Sequence, residues 1–89
     1  MYELFYTTRF KKDLKRFKKD IALIGIFLKI LQERGVLGIP RKMKPHRLKG
    51  NYKDNWECHL KPDLLVILLQ IEDPKKNTLV RIGTHSDLF

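Results

Sequence analysis

Six apolar residues, Leu64–Leu69, run without a break directly after Pro62–Asp63. A run that short, partly β-branched and opened by turn residues, predicts a strand covered on both faces. The residues before it alternate, with Trp56, Cys58 and Leu60 on one side and Glu57, His59 and Lys61 on the other. That pattern predicts a second strand with one wet face. Lys61-Pro62-Asp63 joins the two as a tight turn, because proline presets φ and lacks a backbone donor. A hairpin over Trp56–Ile71 therefore organises the chain and is expected to carry His59 and Asp63 close together.

The remaining segments can be assigned around this hairpin. Tyr2–Thr7 is short and aromatic-rich and predicts a first strand. Thr7 or Thr8 can cap a helix whose apolar stripe is Phe10, Leu14 and Phe17. Asp20 can cap a second helix with Ile21, Ile24, Leu28 and Leu31 on one stripe, widened by Leu23, Phe27 and Ile30. Gly35 is its expected stop. Val36–Lys44, with Gly38 and Pro40, reads as a loop. From His46 the pattern becomes β: His46-Arg47-Leu48 leads into a turn at Lys49–Tyr52, and the hairpin follows. Glu72–Asn77 reads as a second polar turn, Thr78–Ile82 as a last strand, and Gly83–Phe89 closes the chain. The order β-α-α-β-β-β predicts one α+β domain over residues 1–89. Its two N-terminal helices should lie on one face of a small, mostly antiparallel sheet.

Charge is distributed unevenly over this plan. Of the 19 Lys and Arg residues, twelve lie in residues 1–45 against four acidic ones, whereas residues 46–89 hold seven against six. A basic half beside a near-neutral half points to a polyanion, most often nucleic acid. The first helix concentrates the excess: Arg9, Lys11, Lys12, Lys15, Arg16, Lys18 and Lys19 are opposed only by Asp13. These cations repel one another at helical spacing, and a bound polyanion would relieve that. The lone cysteine, Cys58, excludes an internal disulfide, so nothing calls for an oxidising compartment. The N-terminus lacks the pattern of a signal peptide, and the longest apolar run is far below a membrane span. The expectation is a cytoplasmic protein with no membrane partner.

All three histidines, His46, His59 and His85, fall in the β half near strand ends or turns, together with Asp63 and Arg81. On adjacent strands they could line one cleft. The set suits RNA cleavage through the substrate's own 2′-OH. That reaction needs a base for the hydroxyl proton, an acid for the leaving 5′-oxygen and a cation for the phosphate. Imidazoles titrate near neutrality and serve as acid or base, and arginine offers a planar fork to phosphate oxygens. Such chemistry requires no metal or cofactor. A competing assignment makes His46, His59, His85 and Asp63 zinc ligands, although no H-E-x-x-H or paired-Cys spacing supports it. Cys58 alternates with His59 and so points into the core, away from the chemistry.

These residues sit in three blocks: His46–Lys53 (H-R-L-K-G-N-Y-K), Glu57–Asp63 (E-C-H-L-K-P-D) and Arg81–Phe89 (R-I-G-T-H-S-D-L-F). The blocks and their spacing resemble the YafQ branch of the RelE/ParE toxin superfamily. The resemblance covers most of the C-terminal half, while the N-terminal half matches in pattern only. It implies a RelE-like, microbial-RNase-like fold. It also implies a metal-independent mRNA endonuclease associated with the ribosome and neutralised by a cognate acidic antitoxin. Carried over by position, His85 is the general acid, and His46, His59 and Asp63 share base and positioning duties. Arg81 stabilises the phosphorane, and Phe89 stacks on or orients a base. The lysines expected to touch RNA are Lys11, Lys12, Lys15, Lys18, Lys49 and Lys53. One departure stands out: members of this branch can carry Trp after K-P-D, where this chain has Leu64, so a stacking contact there is lost. A branch that poisons gyrase lacks the histidine set. A non-enzymatic RNA- or ribosome-binding protein would need the basic helix but not His85.

Overall fold

The computed structural model describes all residues 1–89. Five strands form one sheet: β1 (Glu3–Tyr6), β2 (His46–Arg47), β3 (Trp56–Lys61), β4 (Leu64–Glu72) and β5 (Lys75–Gly83). Their spatial order is β1-β5-β4-β3-β2. Only the β1–β5 pair is parallel; the other neighbours are antiparallel. Helices α1 (Thr8–Leu14) and α2 (Ile21–Arg34) connect β1 to the rest, and a short helix α3 (His85–Leu88) ends the chain. The α+β plan with two helices on one face of a mostly antiparallel sheet is thus observed. His46–Arg47 adds one strand beyond the expected order.

The sheet has two covered faces. Against the first, Ile24, Phe27 and Leu31 of α2 and Phe10 of α1 pack on Cys58, Leu60, Val66, Leu68, Leu79 and Ile82. Against the second, Leu65 and Ile67 meet Leu88 of α3, with Leu48, Tyr52 and Val80 at the margin. Leu64–Leu68 are therefore buried whichever way they point, as the unbroken apolar run requires. Burial of each such side chain contributes about 1.5–3 kcal/mol. The second layer also corrects the reading of β3. Its Glu57–His59–Lys61 side is not simply wet, because Glu57 is buried there.

Four boundaries differ from expectation, each for a physical reason. The first helix does not run straight through Phe17. After Leu14 the chain tightens into a 3₁₀ segment, Lys15–Asp20, broken at Phe17 (φ −119°, ψ 37°). This break turns the chain from α1 into α2 without a separate loop. Asp20 consequently caps nothing, since 3₁₀ backbone runs directly into α2; its carboxylate instead accepts from Lys61 Nζ at 2.8 Å. The last strand begins at Lys75, not Thr78, and the turn is only Asp73–Pro74, because Glu72 already pairs with Lys75. Lys76 and Asn77 are polar yet lie in strand, since β1 and β4 bond β5 from both sides. Val36–Lys44 is not plain loop but holds two 3₁₀ turns, Val36–Gly38 and Arg41–Met43.

Two caps behave as expected. Thr7 Oγ1 accepts from Phe10 N at 3.0 Å and donates to Val80 O at 2.8 Å, so it starts α1 and ties it to β5. Gly35 ends α2 with φ 70°, a conformation open to glycine and strained for other residues.

Candidate active site

Strand register, not sequence proximity, assembles the site on the second face. His46 on β2 pairs with Glu57 on β3, Glu57 pairs with Ile67 on β4, and Ile67 pairs with Arg81 on β5. One row across four strands therefore reads His46, Glu57, Ile67, Arg81. The next row reads His59, Leu65, Gly83, with His85 two residues past its end. Neighbouring strands lie roughly 4.8 Å apart, so the strands of His59 and Arg81 are separated by roughly 10 Å and that of His46 lies one strand further out. Buried Leu65 and Ile67 form the floor between them.

The centre of the histidine side is Glu57, which the sequence reading did not select. Its Oε1 lies 3.2 Å from His46 Nε2 and 3.1 Å from His59 Nε2, and its side chain is only 7% exposed. His46 and His59 are 49% and 26% exposed, with ring centroids 6.2 Å apart. His46 Nδ1 also lies 2.8 Å from the carbonyl of Lys44. Both its ring nitrogens thus face acceptors, whereas a neutral imidazole can donate from only one. His59 engages Glu57 through Nε2 alone, which leaves Nδ1 free for a reacting group. The signal for Glu57 was present: an acid two residues before a histidine shares its side of a strand.

Arg81 is held from the opposite end of the chain. Its Nε and Nη2 donate to Asp13 Oδ2 and Oδ1 at 2.8 and 3.1 Å. Asp13 also accepts from Ile82 N at 3.2 Å, and Arg9 approaches it to 3.8 Å. This hydrogen-bonded carboxylate raises the Arg81 pKa further, and the Tyr52 phenol adds to the effect. A guanidinium has five N–H donors; with two spent on Asp13, the outer edge of the fork remains for an anion. The side chain is 15% exposed.

His85 begins α3, and three contacts fix its place. Thr84 Oγ1 accepts from Asp87 N at 3.2 Å while Asp87 Oδ2 accepts from Thr84 N at 2.9 Å, a reciprocal capping box. Arg16 lies 3.2 Å from the same Asp87 oxygen. The Thr84 hydrogen bonds hold the Asp87 carboxyl below its ordinary pKa, with Arg16 helping. Asp63 Oδ1 accepts from the backbone N of His85 at 3.1 Å. Asp63 therefore does not join the histidine pair through its hydrogen bonds; it anchors the helix that carries His85. Leu88 is buried and Phe89 is 55% exposed. The Phe89 ring lies 5.1 Å from that of His85 and 5.8 Å, edge-on, from Tyr52.

The other expected residues sort by position. Lys11, Lys12, Lys15, Lys18, Lys49 and Lys53 are all exposed and free for a polyanion. Leu64 belongs to the main core, so it offers no stacking surface. Cys58 is buried on the first face, and burial pushes its thiol up to about 12, which leaves it unreactive as a nucleophile. His46, His59, His85 and Asp63 are not gathered into a metal-holding group of three or more. No helix is long and apolar enough to cross a membrane.

Comparison with known proteins is consistent along the whole chain. Residues 2–89 match the family model for YafQ, bacterial toxin of type II toxin–antitoxin system. The chain is 31% identical over 87 residues to the mRNA interferase toxin YafQ of Escherichia coli (strain K12), covering 94% of this chain and 91% of that protein. It is 37% identical to a metal-bound toxin from Helicobacter pylori, with a TM-score of 0.84 and full coverage of both chains. It is 27% identical to a chain of the E. coli DinJ–YafQ toxin–antitoxin complex, with a TM-score of 0.86, covering 99% of this chain and 97% of that one.

Proposed function

Because the chain belongs to the YafQ family of toxins of type II toxin–antitoxin systems, we propose that it cuts mRNA on the ribosome by acid–base attack of the 2′-OH. It is the toxin component of such a system and an mRNA interferase. The observation that supports the reaction is the carboxylate-linked pair His46–Glu57–His59, placed across a narrow apolar floor from Arg81 and the His85 helix.

The roles follow from which nitrogens and donors are free. His59 donates Nε2–H to Glu57, and its Nδ1 takes the proton of the 2′-OH as general base. The 2′-oxygen attacks phosphorus, and the bond to the 5′-oxygen breaks. His85, protonated, gives its proton to that leaving oxygen. The products are a 2′,3′-cyclic phosphate and a 5′-hydroxyl. Arg81 binds the phosphate oxygens through the N–H groups that Asp13 leaves free, and His46, with its ring nitrogens turned to Glu57 and to the Lys44 carbonyl, positions the carboxylate that holds His59. Phe89 meets the base next to the cut.

The partner is an antitoxin, as for the relative in the DinJ complex. A net charge of +9 favours an acidic segment that folds on contact, with association slowing as salt rises. The same charge, concentrated on α1 and the segment after it, serves ribosomal RNA through Lys11, Lys12, Lys15 and Lys18.

His85→Gln tests the mechanism. It should keep the fold and the antitoxin complex yet reduce single-turnover cleavage on programmed ribosomes by about 100-fold or more. The wild-type rate should rise and fall with pH, as paired acid and base groups require. Near-normal cleavage by His85→Gln would remove His85 from the reaction.

A further inference from the structure

Beside His59 lies a recess of about 500 Å³ between the Arg41–Met43 turn and the end of β3. Lys42, Lys44 and Lys61 line it together with His59, and no acidic side chain does. Lys61 is already neutralised by Asp20 at 2.8 Å. Lys42 and Lys44 pair with no carboxylate. The volume lies within the range of small-ligand sites. Its apolar wall is firm, because Met43 and Leu60 belong to the main core.

The recess is joined to the catalytic pair by one residue. Lys44 adopts a left-handed conformation, φ 49° and ψ 53°, at the end of the Arg41–Met43 turn. A lysine rarely adopts that conformation. Here the same residue aims its carbonyl at His46 Nδ1, 2.8 Å away, and contributes its side chain to the recess. An RNA that presents its 2′-OH to His59 continues past it, and His59 itself lines the recess that holds the unpaired ammonium groups.

We infer that this recess seats the nucleotide flanking the scissile phosphate: Lys42 and Lys44 take its phosphate, and Met43 and Leu60 carry its sugar or base. The inference rests on the ribonuclease reading above and extends it to a second subsite. Lysine acts on phosphate as a point charge and reads no sequence. The subsite should therefore add affinity at every codon alike.

The experiment uses the Lys42→Gln/Lys44→Gln double variant, which leaves the Lys44 carbonyl in place. A 2′-O-methyl trinucleotide, which cannot be cleaved, is titrated into isotope-labelled wild type and variant and followed by amide NMR. Single-turnover cleavage of several codons on programmed ribosomes is measured in parallel. Expected are saturable shifts at Lys42, Met43, Leu60 and Lys61 in the wild type, with affinity at least fivefold weaker in the variant. Cleavage at subsaturating protein should fall by a similar factor for every codon, with a salt slope shallower by about 0.7, the value for one single-strand phosphate. Shifts confined to α1, or equal affinity in the variant, overturn the subsite. Inorganic phosphate that reproduces the shifts at the trinucleotide's affinity reduces the recess to an anion site and overturns the nucleotide assignment. Wild type that cleaves beside a variant that cleaves equally well defeats the subsite alone. Wild type that fails to cleave any mRNA defeats the ribonuclease reading, and the titration then decides the recess by itself.

Discussion

Glu57→Gln is the sharpest test of how the site is organised. The substitution keeps the side chain's shape and removes one negative charge from a position that is 7% exposed, is hydrogen-bonded to His59 at 3.1 Å and lies 3.2 Å from His46 Nε2. Hydrogen bonds to a charged group contribute about 1.5–3 kcal/mol, against about 0.5–1.5 kcal/mol for neutral ones. Two contacts weakened in this way lose about 2–3 kcal/mol of orientation between them. At about 1.4 kcal/mol per tenfold, that converts to roughly 30- to 150-fold in rate. Stability should move by less than about 1 kcal/mol, because relief of a buried carboxylate's desolvation offsets the weaker hydrogen bonds. Single-turnover cleavage on programmed ribosomes and a thermal melt of the same sample measure the two quantities. A variant that melts like wild type and cleaves within threefold of it would refute the idea that Glu57 sets the histidines, and His59 would lose its case as base.

Three further outcomes follow from other parts of the molecule. Reversing Lys11, Lys12, Lys15 and Lys18 to Glu should leave the fold intact, because all four are exposed. It should weaken ribosome binding by at least tenfold at low salt in a sedimentation assay; an unchanged affinity would reassign them to solubility. Cleavage should persist in excess chelator, since imidazoles and a guanidinium fill each role. Loss restored by zinc would instead make the histidines ligands, giving the metal of the Helicobacter relative a counterpart here. Finally, the depressed Asp87 carboxyl contributes stability that is present above the ordinary carboxylate pKa of about 4 and lost as pH falls through its own lower value. Leu88 methyl resonances should therefore report undocking of α3 in that acid range before the main core melts; coincident loss of both would remove the Thr84–Asp87 box as the helix's anchor.

Local pattern identified the elements and not the partners that face each other across them. The apolar run Leu64–Leu69 is legible because burial on both faces admits no polar residue. Thr7 and Gly35 are legible because a helix start needs a side-chain acceptor and a helix stop needs a positive φ. Where the reading erred, a tertiary neighbour overrode a local preference. Asn77 and Lys76 look like turn residues, yet β1 and β4 bond the strand from both edges and extend it to Lys75. Asp20 looks like a cap and stands at the start of α2, yet its carboxylate makes no capping hydrogen bond and accepts from Lys61 instead.

The site shows the same limit more sharply. Each motif residue could be placed near a strand end, but which residues meet depends on register, and register is a property of pairs of strands. Glu57 was assigned to a wet face because alternation says which side a residue takes, not what lies above that side. The short strand His46–Arg47 lies beside it, and only the pairing His46↔Glu57 turns a solvent-facing acid into the link between two histidines. Pattern places Arg81 on its strand but does not reveal its partner, for the same reason. Its partner Asp13 is 68 residues earlier, on the one helix whose other charges are all basic. That helix carries the cations proposed for the ribosome outward and the carboxylate that aims Arg81 inward. Any polyanion that docks on α1 therefore touches the element whose Asp13 orients the guanidinium proposed to bind phosphate.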